Sequence, residues 1–190
     1  MEWLRYGKQH YPNRVCMNEY TYHDIYSAVV YVATRLQAVQ DKRIAIISDN
    51  SVTMAVYLLA AMLVRKEVLL LNVHLTAREI ENQLCELHIT TVLHSTKRRT
   101  QVPASVRAIE FESVEPTLHD IAEDTFDWTF DDHDIAAIMN TSATTGQFKS
   151  VPLRWGQIKA HVQASQEVLG RTEQDNWLMV LPLFHVSGLS

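Results

Sequence analysis

Between Asn140 and Val151 the chain sets four hydroxyl side chains, Thr141, Ser142, Thr144 and Thr145, within five positions, then Gly146, then Lys149 three residues on. Short hydroxyl side chains let a loop close tightly around an anion, donating O–H bonds beside backbone N–H bonds. Gly146 permits a positive φ and Lys149 adds a full positive charge. Those are the requirements for gripping a polyphosphate. The order of residues is neither the G-x-x-x-x-G-K-[ST] loop nor a G-x-G-x-x-G turn. A second group follows about 40 residues later, where Pro182, Leu183, Phe184 and His185 precede Gly188. Taken alone, a Thr-rich turn is usually only a turn, and one histidine of nine is more often structural than functional.

These residues need strands and helices to hold them, and the chain supplies an alternation of both. Ile44 to Ile47 is a β-branched run of the buried-strand type, closed by Ser48, Asp49 and Asn50. Ser51 to Val64 has helical spacing, Val68 to Leu71 is a second buried run, and Thr76-Ala77-Arg78-Glu79 is a capping box. The helix it opens carries Ile80, Leu84 and Leu87 on one face, and Thr91 to His94 is again a strand. A helix from about Tyr22 to Val39, capped by Thr21, precedes the series. Further strands are expected at Val106–Phe111, Ile135–Met139 and Trp177–Leu181, with a helix over Gly156–Leu169. Strand, helix, strand, helix, strand implies an α/β fold with parallel-sheet layers flanked by helices. The chain divides into an α/β portion (1–95), an irregular, exposed acidic connection (96–133) and a portion bearing the hydroxyl-rich loop (134–190). Ending a few residues past a strand leads to the expectation of an incomplete, N-terminal piece.

Composition narrows the classes. Of 190 residues 22 are acidic and 17 basic, a formal charge of −5, which argues against a nucleic-acid binder that works by neutralising phosphates. The short basic run Lys97-Arg98-Arg99 reads as a solvated loop. Carboxylates scattered from Glu112 to Asp132 have no Ca²⁺-loop spacing, so no metal site is expected. Two distant cysteines, Cys16 and Cys85, suit a reducing, cytoplasmic setting, and no apolar run reaches the length of a membrane span.

Thr141 to Val151 resembles the T-S-G-T-T-G-x-P-K-G-V loop of the adenylate-forming superfamily, which includes acyl-CoA synthetases, luciferases and peptide-synthetase adenylation domains. Seven of its eleven positions agree: Thr141, Ser142, Thr144, Thr145, Gly146, Lys149 and Val151. Ala143, Phe148 and Ser150 depart from it, replacing glycine, proline and glycine. An alanine forced into a left-handed conformation costs about 1 kcal/mol or more, so these departures bear on phosphate binding. Asn176 to Ser190 is similar to the strand and P-L-F-H-x-x-G-L turn of the same superfamily, and Leu69 to Leu84 to an earlier strand and helix start. The wording is nearest to the ligases that join o-succinylbenzoate to CoA in menaquinone synthesis.

The resemblance implies an acid–CoA ligase that makes an acyl-adenylate from a small-molecule carboxylic acid and ATP, then transfers the acyl group to CoA. Thr141, Ser142, Thr144, Thr145 and Gly146 would cradle the phosphates of ATP–Mg²⁺, Lys149 would supply the cation, and His185 would wall the acyl site. In the superfamily, adenine- and ribose-binding residues and a mobile C-terminal domain follow the segment matched here. The 190 residues alone are therefore expected to give no turnover. No nucleic acid and no membrane span are expected, and homo-oligomer formation is left open. Three other readings stand beside this one, the first two being a non-catalytic, degenerate module of the same fold, favoured by Ala143, Phe148 and Ser150, and a ligase for a different aryl or fatty acid. An unrelated flavodoxin-like domain whose loop binds a cofactor phosphate is the third.

Overall fold

The computed structural model describes residues 1–112, 124–141, 148–170, 172 and 175–189; for Thr141 it describes the backbone only. The elements run α1 (Glu2–His10), β1 (Val15–Met17), β2 (Tyr20–Thr21), α2 (Tyr22–Leu36), β3 (Arg43–Ile47), α3 (Val52–Leu63), β4 (Glu67–Leu70), α4 (Ala77–Glu86) and β5 (Thr91–His94). A short 3-10 helix (Thr96–Gln101), β6 (Arg107–Glu110), β7 (Ile135–Thr141), β8 (Lys149–Arg154), α5 (Trp155–Leu169) and α6 (Val186–Leu189) follow.

One six-stranded sheet organises the chain, in the order β6-β5-β3-β4-β7-β8. The first five of these strands run parallel and β8 returns antiparallel to β7. Ile44, Ala45, Ile46 and Ile47 are all buried, as a central parallel strand covered on both faces requires. α3 is apolar almost all round, and such a helix needs cover on two sides. It finds that cover between the sheet and α2, which packs along it.

The helix starts follow the side chains that satisfy their free N–H groups. The Thr21 hydroxyl accepts from the Asp24 amide at 3.2 Å while Asp24 accepts from the Thr21 amide at 2.8 Å. Thr76 and Glu79 exchange the same pair of bonds at 3.3 and 2.8 Å, and Ser51 caps α3 through the Met54 amide at 3.0 Å. The Thr76 amide and hydroxyl, both donating to Glu79, hold its carboxyl below its ordinary pKa. Gly170, at φ +73°, closes α5 in a conformation a side chain would strain.

Three expectations need correction. Trp177–Leu181 is not a strand: no described strand pairs with it, and its side chains are 48–84% exposed. A β-branched or aromatic run becomes a strand only where a neighbour accepts its backbone bonds. The run Lys97-Arg98-Arg99 is not simply solvated, since the Arg98 side chain is only 18% exposed and paired with Asp49. The acidic connection also carries a core residue. Trp128 is 1% exposed, stacks on Tyr26 with ring centroids 5.0 Å apart, and donates its indole N–H to Asp124 at 3.0 Å. α1, the β1–β2 hairpin and β8 have no counterpart in the sequence reading.

Candidate functional site

The parallel strands end on one edge of the sheet, and in open α/β sheets ligands bind outside that edge. β7 reaches the edge at Thr141 and β8 starts back from it at Lys149, so the two strands form a hairpin whose connection, 142–148, holds the hydroxyl-rich run. Ser142, Thr144, Thr145 and Gly146 lie outside the described residues. Thr141 and Lys149 are register partners, so the structure brings the two ends of the connection together. Lys149 is exposed at this edge. It opens a strand, where the sequence reading had only a loop.

The residues beneath this edge are tied to one another. Asn140 and Ser150 are the next register pair inward, and the Ser150 hydroxyl donates to Asn140 Oδ1 at 2.7 Å. The Asn140 amide in turn donates to Gln83 of α4, which is 1% exposed. Ser150 stands where the resembled loop has glycine, and here its side chain joins β8 to β7.

The turn bearing His185 reaches the same edge from the far end of the chain. Asn50, just past β3, donates to the Leu181 carbonyl at 2.8 Å and accepts from the Leu183 amide at 3.0 Å. Leu183 and Phe184 are each 6% exposed. Phe184 meets His74 edge-on at 6.3 Å and lies 4.7 Å from the His185 ring. His185 itself is exposed, and its backbone N–H donates to the Pro182 carbonyl at 3.0 Å. Gly188 approaches the Pro182 carbonyl so closely that a Cβ would sit 2.2 Å from its oxygen, which explains the glycine three residues after the histidine.

Sequence reasoning missed Asn50, Gln83 and Asn140. Asn50 was legible as a turn residue, but nothing in its neighbourhood signals a partner 131 residues away. Asn140 sits directly before the hydroxyl-rich run, the one hint available for it.

The AMP-binding enzyme family matches residues 5–190. The chain belongs to that family. Among curated AMP-binding relatives, a 2-succinylbenzoate–CoA ligase of Lactococcus lactis is 45% identical over the whole of this chain and 42% of its own length. One from Enterococcus faecalis is 34% identical, again over the whole of this chain and 40% of its own length. The chain thus spans about two fifths of the curated relatives it matches. The o-succinylbenzoate coenzyme A synthetase (MenE) of Bacillus subtilis in complex with AMP superposes with a TM-score of 0.85 at 28% identity, over 98% of this chain and 51% of that one. The same enzyme with ATP and magnesium gives 0.83 at 27% identity, over 98% and 52%. The mixed sheet flanked by helices is therefore the AMP-binding fold.

Proposed function

We propose that this chain supplies the phosphate grip and an acyl-site wall of an ATP-dependent acid–CoA ligase acting on 2-succinylbenzoate. The observation that carries the reading is the β7–β8 hairpin. Its hydroxyl-rich connection leaves the ligand edge of the sheet with Lys149 exposed at its return, in a chain whose relatives bear that ligase's name.

In this reading Thr141, Ser142, Thr144, Thr145 and Gly146 surround the β- and γ-phosphates, and Lys149 offsets their charge. The residues fit an anion: donors and a cation, with the two strand ends held opposite each other. Electrostatic complementarity and positioning are what such a transfer needs from a protein, because the attacking carboxylate and the polyphosphate repel each other. Mg²⁺ enters this reading as part of the MgATP substrate. His185, beside the buried Phe184, lines the space for the acyl group, and CoA is the second-step acceptor. No described helix is long and apolar enough to cross a membrane.

A graft tests the proposal. Residues 1–190 replace the matching segment of the Lactococcus lactis ligase, and ATP–pyrophosphate exchange is measured with 2-succinylbenzoate. Exchange is expected to persist and to fall by tenfold or more in Lys149→Ala. A folded graft that exchanges with no carboxylic acid would favour the non-catalytic reading that Ala143, Phe148 and Ser150 suggest, and exchange only with another aryl or fatty acid would move the substrate.

A further inference from the structure

We infer that Gln83, Asn140 and Ser150 form a positioning relay that sets Lys149 for phosphate binding; the inference rests on the phosphate reading above and adds three residues to it. Asn140 and Ser150 face each other across β7 and β8, one register step inside the Thr141–Lys149 pair. Facing side chains in an antiparallel pair lie on one side of the sheet, and these two are joined at 2.7 Å. Gln83 reaches the same pair from α4 through the Asn140 amide. The backbone of Lys149 therefore leaves a position fixed from a helix and two strands at once. Alternation along β8 turns the Lys149 side chain to the face opposite the relay.

Two features set the relay apart from ordinary packing. Gln83 is 1% exposed, and its Nε2 has no hydrogen-bond partner among the described residues. A buried amide with an unmet donor lowers stability, so an apolar side chain of similar size removes that cost while taking away the acceptor of the Asn140 amide, and the two changes oppose each other. Its described bond is the one to Asn140. Ser150, meanwhile, stands at a loop position where the resembled signature has glycine. A glycine there would leave Asn140 Oδ1 without this donor and β8 freer beside the lysine.

The test measures tripolyphosphate affinity and the thermal midpoint of the 190-residue chain and its variants. Ser150→Ala is expected to weaken tripolyphosphate binding about tenfold with little change in midpoint, and Ser150→Thr, which keeps the hydroxyl, to restore it. Gln83→Leu is expected to weaken binding to a similar degree while the midpoint changes little, because the unmet Gln83 donor and the Asn140 acceptor are lost together. A role confined to packing would instead lower the midpoint in step with binding and show no rescue by threonine. Wild-type affinity in Ser150→Ala overturns the relay while leaving the phosphate site intact. If the wild-type chain takes up no tripolyphosphate, the phosphate reading fails and the relay falls with it. Should Gln83→Leu fail to fold, the alanine and threonine variants at Ser150 decide the question alone.

Discussion

Two places on the ligand edge of this sheet have opposite fates. One is the crevice between β3 and β5, where the chain, having gone from β3 to β4 on one side, crosses back to β5 on the other. Such a reversal opens the gap that α/β proteins use for ligands. Here the gap is filled from within. Arg98 pairs with both oxygens of Asp49, its Nε at 3.2 Å, and bonds Gln101 at 3.2 Å. Gln101 then ties the carbonyls of Val73 and Leu75, each at 3.0 Å. The other place is the end of the β7–β8 hairpin, where Lys149 stands exposed. The difference teaches that strand topology offers sites, while packing decides which stay accessible. The Arg98 guanidinium, 18% exposed, lies against Asp49 at the first, and Lys149 is exposed at the second.

Breaking what both places share has the largest effect. Ile46 is fully buried in β3, whose neighbours are β4 and β5. Ile46→Ala should cost about 2–5 kcal/mol of unfolding free energy in a urea titration and abolish the contrast by loosening both regions. Arg98→Met separates them. It should cost about 1 kcal/mol, because the half-exposed Asp49 keeps only Lys97 as a cationic partner, yet leave phosphate binding unchanged.

Acid sharpens the same contrast. The Arg98 hydrogen bond holds the Asp49 carboxyl below its ordinary pKa. A carboxyl depressed in the folded state stabilises fully above its unfolded value, about 3.9, and that contribution is lost as pH falls through the lower folded value. The stability gap between wild type and Arg98→Met should therefore be full at pH 7 and narrow below pH about 4, read from unfolding at each pH. An effect no larger belongs to Asn50→Ala. Loss of its two bonds should cost about 1 kcal/mol and speed hydrogen exchange at the Leu183 amide, whose acceptor is Asn50 Oδ1.

Local signals were legible in the sequence; long-range ones were not. Thr76 to Glu79 declares a capping box within four residues, and β3 and β4 declare themselves by the apolar runs Ile44–Ile47 and Val68–Leu71. β8 does not, because Lys149, Ser150, Pro152 and Arg154 lack an apolar alternation, and only pairing with β7 makes them a strand. Trp177–Leu181 errs the other way, with strand-like residues that meet no partner. For the candidate site, the residue types around Thr141–Lys149 and His185 could be read directly. Their supports, Asn50, Gln83 and Ser150, act across separations of 131, 57 and 10 residues, where local pattern carries no information.

The central claim is that anionic ligand meets this domain at the hairpin and not at the crevice. Backbone amide NMR during titration of the 190-residue chain with MgATP tests it most directly. The account predicts shifts concentrated at Asn140, Thr141 and Lys149–Val151, with Asp49 and Ser95–Arg98 unmoved. Shifts gathered instead around Asp49 and Arg98 would contradict it.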